Sequence, residues 1–462
     1  MSLLDLVLLA AMLAVSAWWI FWPNRGRRWL RLAPAALAAL AALQLAVEGF
    51  YWQFLPGYAL IAVLALLSLF SRRAPRAGFA KLAGHLGLAA LAMTAIAPFM
   101  LLLPVPVLTK PDGPHTVGTQ IFRWVDEARD ELNTADPNDR RNVIAQIWYP
   151  AALGSQVEHS TYLDGLDDLP DEVTLFPGFL LRSYGAIDTH GYPGNPILRP
   201  DGGVPLVILS SGYGGPRAFY TSLATGLASR GYAVITLDHP YESAVTELAD
   251  GRIAADAKNF PGEGEGKAFM ASQLDTRVAD IRFVLDKLEQ PGAIGELSGH
   301  LDLQHIAAIG HSFGGAASAV AMDRDPRIKA AANIDGTLYG DIDSRQLTRP
   351  FLLLDSDHVE TGHGEDNLAR NQRLLDNAQA PAWRYEIKRA NHYSFTDAPL
   401  FFAPPGRFAL SLLIGGSRGP TETHRATLDI LDAFLSGPLG REAHDIEAAV
   451  AKYSDITGGP VN

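Results

Sequence analysis

Along the first hundred residues the apolar positions run almost unbroken; beyond them they fall into short runs that alternate with amphipathic stretches. Four long apolar runs come first, at about 3–22, 33–50, 54–70 and 79–103. A helix needs roughly 20 apolar residues to cross a hydrocarbon core. The first and fourth runs reach that length, and the second and third reach it with flanking residues. The pattern predicts a transmembrane helical region over residues 1–104 with about four helices. A soluble helical bundle would use similar runs, but these carry almost no charge, with Asp5 the one ionisable residue in the first. A cleaved signal peptide is disfavoured, because the first run has no basic flank before it and three more runs follow.

From residue 105 to 462 the pattern predicts a second domain. "PVPVLTKPDGP" (104–114) leads out of the apolar region. "NVIAQIWYP" (142–150) reads as a strand, and 151–203 is loop-rich in Pro, Gly and Asp. From 204 onward the order is regular: strand "VPLVILSS", helix "FYTSLATGLASRG", strand "YAVITLDH", an excursion at 241–271, and an amphipathic helix at 272–290. Strand "IAAIG", helix "GAASAVAMDRD", strand "IKAAANID", strand "PFLLLDSD" and a helix around "RNQRLLDNAQ" follow. "AWRYEIKRANH" reads as the last strand with its loop, before a C-terminal helix around "RATLDILDAFLSG". Such alternation predicts an α/β domain, a mostly parallel sheet with helices on both faces.

Charge separates the two regions. Residues 1–110 hold nine Lys/Arg and two Asp/Glu, whereas the remainder holds 29 and 48. An acidic second domain argues against nucleic acid as a partner, since phosphate binding needs a basic face. Arg25, Arg27, Arg28 and Arg31 fall in the first inter-helix loop, and Arg72, Arg73, Arg76 and Lys81 in the third; the second loop, "EGFYWQFLPG", has no basic residue. By the positive-inside rule the first and third loops face the cytoplasm, so the second domain is expected outside an inner cell membrane as part of a multi-pass protein. Trp18, Trp19, Trp22, Tyr51 and Trp52 sit where an interfacial aromatic belt would lie. With no cysteine in the chain, disulfides, thiolate metal sites and cysteine nucleophiles are excluded together.

The candidate chemistry begins at "GHSFG" (310–314), a G-x-S-x-G pattern between an apolar strand and a small-residue helix. That context is what a nucleophile elbow requires: the glycines let strand and helix close on a tight turn that exposes Ser312. In an α/β-hydrolase the acid and the histidine follow the serine in the chain. Of His358, His363, His392, His424 and His444, only His392 sits in the loop after a late strand, while His424 and His444 read as surface residues of helical stretches. The acid is open between Asp335, which ends "AAANID", and Asp355 or Asp357, which end "FLLLDSD". "SSGYGGPRAFY" (210–220) ends another strand, and the Tyr213 N–H could pair with that of Phe313 as an oxyanion hole. "DSDHVETGHGED" gathers acids and histidines, but its spacing fits no metal pattern and it reads as a solvated loop; no metal or cofactor is expected.

These stretches in order resemble the plasma-type platelet-activating factor acetylhydrolase family, the lipoprotein-associated phospholipases. The resemblance is carried by "GPHTVGTQIFRW", "VIAQIWYP", "ILRPDGGVPLVILSSGYGG", "LASRGYAVITLDH", "HIAAIGHSFGG", "RIKAAANIDG", "PFLLLDSDH" and "ANHYSF", over residues 113 to about 400. It implies an α/β-hydrolase fold with Ser312 as nucleophile, Asp335 as acid, His392 as base, and Tyr213 and Phe313 as oxyanion donors. The family's first oxyanion loop usually begins His-Gly; here Ser211–Gly212 stands there. The implied function is cofactor-free hydrolysis of short or oxidised acyl esters such as acetyl glycerophospholipids, with ester or phospholipid as substrate and membrane lipids as surroundings. A general carboxylesterase or polyester hydrolase of the same fold, and a non-catalytic tethered binding domain, are the alternatives.

Overall fold

A computed structural model describes residues 2–21, 29–70, 78–154, 158–165, 178–256, 266–361 and 364–461. Trp22, His363 and the loop arginines Arg25, Arg27, Arg28, Arg72, Arg73 and Arg76 lie outside the described residues. The chain divides into two compact units.

The first unit is Met1–Pro106 with two later pieces, Phe179–Ala186 and Phe401–Ala409; the pattern-based boundary at 104 did not foresee those pieces. It holds helices α1 (Leu3–Phe21), α2 (Trp29–Val47), α3 (Leu55–Phe70) and α4 (Phe79–Leu101). Four helices stand where four were expected, but among the described residues three apolar stretches, Leu3–Phe21, Trp52–Leu69 and Leu82–Leu101, are long and apolar enough to cross a membrane. The second run is shorter, Leu32–Val47: Trp29 and Arg31 begin its helix and Pro34 falls in the first turns. Leu8, Met12, Leu37, Phe54, Leu60, Leu64 and Phe99 pack between the helices. Asp5 is buried there, accepting from Gln44 Nε2 at 3.3 Å, and the Tyr58 hydroxyl donates to Gln44 Oε1 at 2.7 Å. Polar groups away from water need such partners.

The second unit comprises Val107–Gly178, Ile187–Leu400 and Leu410–Asn462. Its strands are β1 (Thr116–Asp130), β2 (Arg140–Ala151), β3 (Gly191–Pro193), β4 (Val204–Ser210) and β5 (Ala233–Asp238), with helix α5 (Thr221–Ser229) after β4. A small hairpin, β6 (Val245–Glu247) and β7 (Ile253–Ala255), occupies the expected excursion. Then come α6 (Gly266–Glu289), β8 (Leu301–His311), α7 (Phe313–Arg324), β9 (Ile328–Ile334), β10 (Phe351–Ser356), α8 (His358–Thr361) and α9 (Glu365–Asp376). The chain closes with β11 (Ala382–Ile387), α10 (Pro404–Ile414), α11 (Pro420–Ser436), α12 (Ile446–Val450) and β12 (Ile456–Pro460). The strand at 382–387 is therefore not the last, and β1 is a long strand the pattern did not single out.

Among the described residues ten strands form one sheet in the order β12-β11-β10-β9-β8-β4-β5-β2-β1-β3. The pairs from β11 through β5 are parallel, while β12, β2 and β1 join antiparallel. Successive residues of a strand face opposite sides. Leu206 and Ile208 accordingly enter one core with Val278, Ile281 and Leu285 of α6 and Ala316 and Ala317 of α7. Val207 and Leu209 enter the other with Leu223 and Leu227 of α5 and Leu428 and Leu431 of α11. Burial on both faces is why these strands read as continuous apolar runs. Together the mixed, mostly parallel sheet and its two helical layers make an α/β-hydrolase architecture, with the carboxyl ends of β4, β8, β9, β10 and β11 at one edge.

Candidate active site

Ser312 lies between β8 and α7 with φ 55 and ψ −124. A non-glycine residue in that region costs about 1–3 kcal/mol unless its surroundings enforce it. They do: the Ser312 N–H donates to Ile334 O at 2.8 Å. The motif glycines permit the closeness, since a Cβ on Gly310 would stand 2.1 Å from Gly314 O, and one on Gly314 2.1 Å from Ser210 O. The turn is thus squeezed between β8, α7 and the neighbouring strand β4.

His392 Nε2 is 2.9 Å from Ser312 Oγ, and His392 Nδ1 is 2.7 Å from Asp335 Oδ2. Asp335 follows β9, the strand beside β8, and also has positive φ, 54. Its other oxygen accepts from Ser356 N–H at 2.7 Å, and its own N–H donates to Leu354 O at 2.8 Å. The carboxylate side chain is wholly buried while the imidazole is 34% exposed, so the line runs from interior to surface. Because a carboxylate only accepts, Nδ1 carries the proton and Nε2 is left to accept from the serine hydroxyl. Asp355 and Asp357 point elsewhere: Asp355 pairs with Arg384 Nε at 2.8 Å, and Asp357 accepts from the backbone of Val359, Glu360 and Arg389. Those amides help hold the Asp357 carboxyl below the usual range, although burial works the other way.

Phe313 opens α7, where the first N–H groups of a helix have no carbonyl a turn behind them. Gly212 packs against the nucleophile, its Cβ position 3.3 Å from Ser312 Cβ, and the Tyr213 and Phe313 rings meet edge to face with centroids 5.9 Å apart. The two expected oxyanion residues thus flank the serine.

Beneath them runs a hydrogen-bond chain that sequence reasoning missed. Gly212 N–H donates to the Tyr220 hydroxyl at 2.8 Å, and Tyr220 is 2.8 Å from His311 Nδ1. His311 Nε2 is 2.8 Å from the His392 carbonyl. A carbonyl cannot donate, so Nε2 carries the proton and Nδ1 accepts from Tyr220. Burial, and then the neighbouring His392, push the His311 imidazole down to about 3. It is therefore a neutral strut linking the oxyanion loop to the histidine loop. His311 was visible as the middle residue of "GHSFG", but its partners lie 91 and 81 residues away.

A second Ser–His–Asp line stands behind the site. Ser210 Oγ is 3.1 Å from His239 Nε2, and His239 Nδ1 is 2.8 Å from Asp280 Oδ2. All three residues are at most 1% exposed, and Ser210 sits in β4 rather than on an elbow. Arg141 and Arg129 also hold Asp280, at 2.7 and 2.8 Å. Arg141 and His239 keep that carboxylate well below its usual range against the pull of burial. Burial and the nearby Arg277 lower His239. With no solvent access, this line serves packing.

Two expectations about histidines fail. His424 is fully buried in α11; its Nε2 donates to Thr396 O at 3.0 Å and its Nδ1 lies 2.8 Å from the Thr109 hydroxyl. Burial pushes it down to about 4. His444 is exposed but lies before α12, not on a helix. In the acidic loop His358 turns to Glu386 at 2.5 Å, and among the described residues no three His, Cys, Asp or Glu side chains converge as a metal site would need.

Asp397, five residues past His392, is fully buried and lies 3.3 Å from Ser222 N and 3.4 Å from the Tyr162 hydroxyl. Burial raises it to about 7, with those hydrogen bonds pulling the other way. Since the folded value exceeds the unfolded one near 3.8, the folded state binds more protons between the two. Stability should therefore fall from about pH 4 to pH 7 by at most about 1.4 kcal/mol per pH unit for this group. Asp397→Asn should flatten that stretch in denaturant titrations; an unchanged profile would show that Asp397 is not its source.

The profile of the family described as platelet-activating factor acetylhydrolase, isoform II, matches residues 107–265 and 268–448. The chain belongs to that family. Among curated relatives, a probable 1-alkyl-2-acetylglycerophosphocholine esterase of Arthroderma benhamiae is 25% identical over 386 residues, 76% of this chain and 93% of that protein. The platelet-activating factor acetylhydrolase of Cavia porcellus is 22% identical over 313 residues, 63% of this chain and 69% of its own. Among solved structures, a ferulic acid esterase from Streptomyces cinnamoneus superposes with a TM-score of 0.64 at 26% identity, covering 76% of this chain and 99% of that one. As a member of the acetylhydrolase family with esterases on both sides of the comparison, the protein is an ester hydrolase.

Proposed function

We propose that this acetylhydrolase-family member is a membrane-anchored serine hydrolase that cleaves short or oxidised acyl esters, acetyl glycerophospholipids among them. The observation that carries this reading is the line Ser312–His392–Asp335 on a strained elbow at the sheet edge. In this mechanism Ser312 Oγ attacks the ester carbonyl while His392 Nε2 takes its proton. Asp335 keeps the other nitrogen protonated and stabilises the imidazolium. The N–H groups of Tyr213 and Phe313 receive the developing oxyanion. Collapse expels the alcohol with the proton from His392, leaving an acyl-Ser312. Water, deprotonated by His392, then releases the acid. Hydrolysis of acetyl and longer-chain phospholipids and of p-nitrophenyl esters, together with fluorophosphonate labelling of Ser312, tests it; a protein that neither labels nor hydrolyses any of them would be the non-catalytic tether instead.

A second reading, a general carboxylesterase or polyester hydrolase, is favoured by the ferulic acid esterase, which this chain matches over 99% of its length. A preference for aryl or bulky acyl esters over acetyl phospholipids would select it.

The location proposed is an inner cell membrane, with residues from about 105 onward outside. The basic first and third loops support this if all four helices cross: three have the length and apolarity by themselves, and the shorter second helix would cross with its flanking residues. A reporter fused after residue 110 should be active only as an exported enzyme; cytoplasmic activity would reverse the orientation. Helix α10 adds an apolar surface: Phe408, Leu412 and Leu413 are 66%, 72% and 82% exposed. Its start is tied to the end of α4, with Ala403 N–H donating to Leu101 O at 2.9 Å. Exposed apolar side chains grouped on one helix suit the bilayer interface. Leu412→Ser with Leu413→Ser should lower hydrolysis of vesicle-borne lipid at least about 10-fold and leave a soluble ester unaffected, since two leucines fully withdrawn from lipid are worth about 3–6 kcal/mol. Equal loss on both substrates would point to a folding defect.

A further inference from the structure

We propose that Arg277 is the positioning residue of the oxyanion hole, holding the Tyr213 amide from inside the protein while packing on the Phe313 ring; this rests on the triad reading above. Arg277 is wholly buried in α6, and its Nη2 donates to the Gly212 carbonyl at 3.2 Å. That carbonyl and the Tyr213 N–H belong to one peptide unit, which is planar, so holding the oxygen fixes where the N–H points. A cation on the carbonyl also polarises the amide and strengthens its N–H as a donor. The Gly215 N–H, 3.1 Å away, shares the same acceptor.

The rest of the guanidinium reinforces this. Nη1 donates to the Ser211 carbonyl, one peptide earlier, and to Ser210 Oγ at 3.2 Å. Its carbon lies 4.8 Å from the centroid of the Phe313 ring, the residue that carries the other amide. Glu242 receives Nε at 2.9 Å on both oxygens, neutralising the charge and setting the plane of the fork. A planar five-donor group can grip two successive carbonyls, a carboxylate and a ring face at once; an ammonium cannot. Here Ser211–Gly212 stands where a His-Gly pair is usual in the resembling family, and the buried arginine supplies an anchor for that loop from behind.

The test uses the full-length protein in detergent. In Arg277→Lys, and in Arg277→Met paired with Glu242→Gln so that no lone charge stays buried, kcat on p-nitrophenyl acetate should fall roughly 10–100-fold, below the ~10²–10³ of losing a donor outright. KM should move less than about 3-fold, because the oxyanion exists only after the ground state. Affinity for a trifluoromethyl ketone, whose adduct bears an oxyanion, should fall in step with kcat/KM. Lysine should recover less than half of the loss in logarithmic terms. Wild-type-like kcat and ketone affinity in a folded Arg277→Lys protein, whatever its melting temperature, would overturn the proposal, as would a loss confined to KM. If the wild type neither hydrolyses esters nor labels at Ser312, the functional reading fails and this inference with it; an active wild type with unaffected variants removes the inference alone.

Discussion

Replacing Ser312 with alanine is expected to reduce ester turnover about 10⁴–10⁶-fold, the scale on which removing the nucleophile of a serine triad acts. The substitution is conservative for the fold. The elbow already holds a non-glycine residue at φ 55, and the Ser312 N–H bond to Ile334 O is made by the backbone and stays. Melting temperature and KM for a slowly bound substrate should therefore change little, and fluorophosphonate labelling should vanish. What remains would be the work of the amides and of binding. A variant that keeps a tenth of its turnover would mean that another group performs the attack, and the mechanism above would be wrong.

Asp335→Asn should lower kcat about 10³–10⁴-fold, because an amide cannot force the proton onto His392 Nδ1 or balance the imidazolium. Asparagine is the discriminating choice. It tolerates the left-handed φ of 54 that Asp335 adopts, and its carbonyl can still accept from Ser356 N–H. Shape is kept and charge is lost. The same exchange at Asp355, whose buried carboxylate pairs with the partly exposed Arg384 and not with His392, should cost kcat less than about threefold, as a substitution outside the triad. A large loss at Asp355 with little at Asp335 would reverse the assignment of the acid.

The three aspartates also show where the sequence pattern stops being informative. Each ends an apolar strand, so strand phase alone treats them alike; only the resemblance favoured Asp335. In space they differ because β9 lies beside β8 and β10 one place further out, and neighbour order is a property of the whole sheet. Ser312 was legible because its signal is local: glycines, strand and helix lie within about a dozen residues. The sheet's edges were less so. β12, "ITGGP", has two glycines and a proline, and its pairing with β11 depends on residues some 70 positions earlier. His424 and Arg277 were hidden for a related reason. A polar residue on an amphipathic helix reads as solvated, yet Thr109 and Thr396 close over one, and Glu242 with two backbone carbonyls over the other. Partners brought by distant loops leave no mark in the helix's own periodicity.

Among the described residues, a geometric template built from serine, imidazole and carboxylate distances would find this chain twice, once at Ser312 and once at Ser210. A covalent probe would find it once. The two trios differ by a left-handed turn and a third of one imidazole's surface, so reactivity surveys of proteins like this one discriminate by reach, and distance templates gain most from adding a test of reach.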